Sequence, residues 1–114
     1  MTTFRITPRV ARDLAGIAQW GLERWGSARM ETYMRGLNHR FVWLARHPLS
    51  RRTRDDVMAG YRCFAEGQHV VFYVIQGNAI AIIGVPHRAM DVGGYFAQPA
   101  DSGSKITRAP PIEP

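Results

Sequence analysis

Five side chains able to do chemistry fall within one stretch, Tyr61 to Asp91: Arg62, His69, Tyr73, His87 and Arg88. An imidazole moves protons near neutral pH, a phenol can assist it, and guanidinium forks hold phosphates or carboxylates. His69 and Tyr73 have the same parity, so on a strand they share a face. One reading is a phosphodiester-binding or RNA-cleaving surface. The opposing reading packs His69 and Tyr73 at a sheet edge and leaves the arginines solvated or paired with acids. Other chemistries find little support. Cys63 is the single cysteine, which excludes an intrachain disulfide and a cysteine-based zinc set. A buried, inert thiol is the role expected of it. His39 and His47 have no matching acid pair on their helix and are read as surface histidines. Neither a metal nor a cofactor is expected. There is no phosphate loop, dinucleotide fingerprint or nucleophile elbow.

These residues need elements to position them. Phe4-Arg5-Ile6 alternates and predicts a first strand. Thr7-Pro8 opens a helix, with Thr7 as N-cap and Pro8 at the first helical position. Val10, Leu14, Ile17, Ala18, Gly21 and Trp25 follow at helical spacing. Gly26 stops this helix and Ser27 is read as the cap of the next. The second helix is expected over about Ala28 to Arg46, with Met30, Tyr33, Met34, Leu37, Phe41 and Leu44 forming its stripe. His47-Pro48 ends it. The two helices form an antiparallel hairpin. Trp20 and Trp43 fall toward the edges of the stripes, where one reading has them line a groove for a partner and the other has them pack at the periphery of the core.

Leu49 to Ala59 reads as a polar loop, in which Asp55 and Asp56 offset Arg51, Arg52 and Arg54. Three strands follow, at about Tyr61–Ala65, Gln68–Ile75 and Ala79–Val85. Glu66-Gly67 and Gly77-Asn78 mark the turns of an antiparallel meander. The last two strands are apolar on both faces, as covered strands are. Val92 to Phe96 reads as a brief helix or an extended arm. The fold expected is α+β: an N-terminal strand and an antiparallel helical hairpin packed on an antiparallel β-sheet. The domain spans residues 1–97, and 98–114, rich in Pro, Ser and Gly, is expected to be a disordered or loosely packed tail. The partner of the first strand is left open.

The formal net charge is +6, and Lys105 is the only lysine among 15 cationic residues. Arginine forks favour docking to an acidic partner over proton transfer. No apolar run approaches a membrane span or a signal peptide, so a cytoplasmic protein with no membrane partner is expected.

The pieces F-R-I-T-P-R-V-A-R-D-L, E-R-W-G, H-P-L, G-Y-R-C-F, G-Q-H-V-V-F-Y and V-P-H-R-A-M-D span about residues 4–91. In this order the chain resembles the ParE toxins of the RelE/ParE superfamily. The resemblance implies the fold just read, a ParD-like antitoxin whose acidic segment wraps over the toxin, and a target. ParE-type members poison DNA gyrase; RelE-type members cleave mRNA on the ribosome. Without lysine in the folded part, the gyrase branch is favoured over the endoribonuclease branch. A third possibility is a binder that has lost toxicity and keeps only its antitoxin. The expected target-binding residues are Arg62, His69, Tyr73, His87 and Arg88. The expected antitoxin-binding residues are Trp20, Arg24, Tyr33 and Phe64.

Overall fold

The Thr7 hydroxyl accepts from the Val10 amide at 3.2 Å and Pro8 occupies the first turn, which starts helix α1, Pro8–Trp25. Gly26, at φ +88°, ends α1 by donating its amide to the Leu22 carbonyl. It also serves as the N-cap of helix α2, Ser27–Arg46. Ser27 is thus the first helical residue and not the expected cap; α2 has no side-chain cap. The computed structural model describes residues 3–98. Of the expected tail, 98–114, Gln98 is described, and the remainder, 99–114, lies outside the described residues.

The strands are β1 (Thr3–Ile6), β2 (Arg62–Glu66), β3 (His69–Gln76) and β4 (Ala79–Gly84). Their order is β1-β4-β3-β2. The meander β2-β3-β4 is antiparallel, as expected, while β1 joins β4 in parallel, Thr3 beside Ala79 and Ile6 beside Ile82. The sheet is accordingly mixed and not wholly antiparallel. The reason is topological: β1 runs into the hairpin, which returns the chain to the far edge at β2 before the meander closes back onto β1.

One sheet face lies under the hairpin. Val10, Ile17, Leu37, Phe41 and Leu44 from the helices meet Val71, Tyr73, Ile80 and Ile82 from the strands. Burying such side chains stabilises by about 1.5–3 kcal/mol each. The second face is covered by a short helix α3, Val92–Ala97, whose N-cap Asp91 accepts from the Gly94 amide at 3.0 Å. Of the two forms expected there, the helix is the one observed. Phe96 packs edge-on against Tyr61 and Phe72. Phe72 faces Gly84 while Tyr73 faces Ile82, so β4 carries one extra residue, Ile83, at a bulge. Gly84 sits directly beneath Tyr95 and Phe96, and a Cβ there would come within 2.8 Å of the Tyr95 ring. Arg9 clasps the end of α3, donating to the carbonyls of Tyr95 and Gln98.

The two strand turns use Gly67 and Gly77, at φ +57° and +61°. Glycine takes these angles without the strain a Cβ brings. Gly67 carries a second constraint, because a Cβ would lie 2.6 Å from the Tyr33 ring, whereas nothing lies within 4 Å at Gly77. Gly77→Ala is expected to cost about 1–2 kcal/mol, the left-handed contribution alone. Gly67→Ala should cost clearly more, because Tyr33 must also move. Chemical denaturation of both variants checks this; equal losses would contradict it.

Candidate functional site

The Tyr33 hydroxyl is the junction of the hairpin, the β2–β3 turn and the His69 imidazole. It lies 2.8 Å from His69 Nδ1 and 3.0 Å from the Glu66 carbonyl, and it accepts from the Gln68 amide at 2.9 Å. A phenol has one proton and two lone pairs. Donation to Glu66 leaves the oxygen to accept from Gln68 N–H and His69 Nδ1–H. This assignment satisfies all three contacts and makes His69 the Nδ1–H tautomer. Burial raises the Tyr33 pKa, which keeps the proton in place.

Aromatic rings close around this junction. Trp20 packs edge-on against Trp25, His69 and His87, with centroids 5.1, 5.8 and 6.1 Å away. Trp25 packs against Tyr33 at 5.3 Å. His87 bridges to His69 across the sheet, and its Nδ1 accepts from the Ala89 amide at 3.1 Å. Arginines cap the outside: Arg24 lies 5.1 Å over Trp20 and Arg29 lies 4.7 Å over Trp25. Exposed Arg88 holds the turn from the far side, with its amide on the Gln68 carbonyl and its guanidinium on the Gly67 carbonyl. Trp25, Arg29, Thr32, Tyr33, Gly67 and Gln68 line a shallow groove beside it.

The five residues expected to form one contact surface do not. His69 is 4% exposed and Tyr73 is fully buried. Both point into the face under the hairpin, the same face as Val71, because their parity is that of the core. The Tyr73 hydroxyl donates to the Pro48 carbonyl at 2.7 Å, and burial raises its pKa. Arg62 lies opposite Tyr73, while His69 lies opposite Glu66. That separates the two pairs by four residues, about 13 Å along the strand. The Arg62 guanidinium donates to the Arg51 carbonyl. Only His87 and Arg88 therefore remain, with His69 buried beneath them, as a grouped part of the expected set.

The expected antitoxin contacts also divide. Trp20, Arg24 and Tyr33 surround the junction. Phe64 lies farther along β2, its ring 5.9 Å from Trp43, with the guanidinium carbons of Arg40 and Arg51 at 4.1 and 4.9 Å. Cys63 is half-buried, not fully buried, and its sulfur accepts from Arg54 at 3.7 Å.

Sequence reasoning passed over Asp13 and the clasp it builds with α3. Asp13 accepts from the Tyr95 hydroxyl and, at 2.9 Å, from the Val85 amide. Burial and the neighbouring carboxylate push the Tyr95 phenol up, so it stays protonated. The available signal was a lone acid between Val10 and Ile17, on the side of α1 that meets the sheet.

Burial, with help from the positive charge of His87, pushes the His69 pKa down to about 4. A lowered histidine pKa means that the unfolded chain binds the proton more readily. Stability from this group is fully present above pH 6.5 and is lost as pH falls toward 4, by roughly 3 kcal/mol in all. Urea unfolding should show this loss in the wild type and a smaller one in His69→Gln. Parallel pH profiles would show that His69 is not the group responsible.

No helix among the described residues is long and apolar enough to cross a membrane, and no described cluster of His, Cys, Asp or Glu could hold a metal. A family model described as ParE toxin of type II toxin-antitoxin system, parDE, matches residues 4–92. Toxin ParE1 of Caulobacter vibrioides is 35% identical over 96 residues, 84% of this chain and 99% of that protein. Toxin ParE1 of Mycobacterium tuberculosis is 32% identical over 90 residues, 78% of this chain and 92% of that protein. A solved structure, the chromosomal ParDE TA system from P. aeruginosa, matches with a TM-score of 0.67 at 16% identity. It covers 76% of this chain and 96% of its own, and at that identity it speaks for the fold alone. With the family match running through β1, the hairpin and the whole meander, the chain belongs to the ParE toxin family of type II toxin–antitoxin systems.

Proposed function

We propose that this toxin acts in the cytoplasm by docking on DNA gyrase, and that a ParD-like antitoxin neutralises it. The observation that carries the docking reading is the internal use of the proton-transfer groups. The hydroxyls of Tyr33, Tyr73 and Tyr95 are bonded to Glu66, Pro48 and Asp13, and the His69 imidazole is buried against Tyr33. Around that junction Arg24, Arg29 and Arg88 face outward, and a guanidinium holds a partner without exchanging protons at neutral pH. The names of the relatives, Toxin ParE1, favour the same branch.

The alternative is a ribosome-dependent mRNA endoribonuclease. It rests on His87, half-exposed beside Arg88, as the one imidazole of the described sheet with a route to solvent. General acid–base chemistry on RNA needs a second group, and Tyr95 is held protonated under α3.

Purified toxin should inhibit gyrase supercoiling and leave mRNA intact in a translating extract. Arg88→Ala should keep the fold and weaken inhibition roughly tenfold, the share of one arginine anchor. Cleaved transcripts with unimpaired supercoiling would reverse the assignment.

A further inference from the structure

The whole net charge of this chain lies in one segment. Residues 32–54 hold six arginines, Arg35, Arg40, Arg46, Arg51, Arg52 and Arg54, and no aspartate or glutamate. The remaining nine cationic and nine acidic residues cancel, so this segment accounts for the formal +6. It comprises most of α2, the short 3-10 turn Pro48–Ser50 and the first part of the loop that leads to β2.

Two of the six arginines are neutralised within the fold. Arg40 pairs with Glu66 at 2.9 Å, and Arg54 forks onto Asp56 at 2.9 and 3.0 Å. The other four are exposed. Arg35 bonds only to the Thr32 hydroxyl, at 3.4 Å. Arg51 donates through Nε to the Cys63 carbonyl at 3.2 Å. The side chains of Arg46 and Arg52 have neither a hydrogen bond nor an ion pair among the described residues. Few acids stand against them. Asp55 accepts from the Thr53 hydroxyl and the Gly60 amide, and Glu31, one turn before Arg35, is the one acid of α2.

The exposed arginines form a row. At about 100° per residue, positions 35, 39 and 46 fall within about 40° of one another around α2 and span about 16 Å along it. His39 is exposed between the two arginines. Beyond Arg46 the 3-10 turn leads on to Arg51 and Arg52. The Arg51 guanidinium lies 4.9 Å from the Phe64 ring, which meets Trp43, three residues before Arg46. Arg51 is thereby held beside the end of α2.

A row of exposed guanidiniums fits a polymer with regularly repeated negative charge. Positions 35, 39 and 46 offer no apolar side chain, which a protein interface carries at its centre. The nearby rings are already occupied, Trp43 by His47 and Arg40 and Phe64 by Arg40 and Arg51, whereas unpaired bases need free rings to stack on. Contacts to phosphate alone suit a duplex, whose bases are stacked inside it. The gyrase reading above puts duplex DNA beside the docked toxin, and the choice of DNA rests on that reading. We propose that this face binds the phosphate backbone of duplex DNA, without reading its sequence, through Arg35, Arg46, Arg51 and Arg52.

The test is fluorescence anisotropy of the full-length toxin with a short labelled DNA duplex across a series of salt concentrations. Four phosphate contacts predict a slope of log K against log salt of about −3 to −4. Arg46→Gln combined with Arg52→Gln should leave thermal unfolding within a few degrees. The same double variant should lower affinity roughly tenfold or more at low salt and flatten the slope by about 2. Arg5→Glu, an equal loss of net charge on exposed β1 at the opposite sheet edge from β2, should leave the slope unchanged. An unchanged slope in the double variant, or no binding by the wild type, overturns the proposal. Tighter binding of single-stranded RNA or of polyglutamate than of duplex DNA overturns it as well. Gyrase supercoiling assays on the same proteins keep the two readings apart. A toxin that inhibits gyrase but does not bind DNA leaves the gyrase reading standing and removes this face. One that binds duplex DNA through these arginines without inhibiting gyrase keeps the face and removes the gyrase reading.

Discussion

A single phenol ties the two halves of this fold together. Tyr33 projects from α2 into the β2–β3 turn of the sheet, where Glu66, Gln68 and His69 converge on one oxygen. The turn must carry glycine at position 67 for the ring to lie against it. Trp25 and Trp20 then pack outward from that ring, and the arginines settle on the tryptophans. The rim of the toxin is therefore positioned by the same contact that seats the hairpin. Buried polar networks of this kind are favourable only when every member is satisfied, and the described residues contain no buried side-chain polar atom without a partner.

Electrostatics sets the character of the surface. The chain carries its positive charge almost wholly as arginine, and several guanidiniums lie over aromatic rings: Arg9, Arg24, Arg29, Arg40 and Arg51. Such cations keep their charge at any physiological pH and offer planar donors to carboxylates. Several potential acids and bases are turned the other way. Tyr73 and Tyr95 fasten loop and helix to the two sheet faces, and His69 is a neutral core residue. Tyr33, Tyr73, Tyr95 and His69 hold the fold together, while Arg24, Arg29 and Arg88 are exposed around the Tyr33 junction.

Much of this fold was legible in the sequence because its signals are local. Thr7-Pro8, Gly26, His47-Pro48 and the two turn glycines act within a few residues, and they mark the element boundaries closely. The partner of β1 was not legible, since parallel pairing with β4 joins residues far apart in the chain, as Thr3 and Ala79 show. Parity placed His69 and Tyr73 on one face correctly. It could not say that this face lies under the hairpin, because α3 covers the opposite face and both read as apolar. The Tyr33 junction and the Asp13–Tyr95 clasp were hidden for the same reason. Each is a contact between distant segments whose individual residues look ordinary.

If the Tyr33 hydroxyl organises the binding surface, and does not merely fill space beside it, removing that one oxygen must loosen the turn. Tyr33→Phe keeps the ring and removes only the hydroxyl. Amide hydrogen exchange, read residue by residue in wild type and variant, separates the two cases. Faster exchange is predicted at Gln68 and Arg88, with protection in α1 and β4 unchanged. Unaltered protection at Gln68 and Arg88 would contradict an organising role for the hydroxyl.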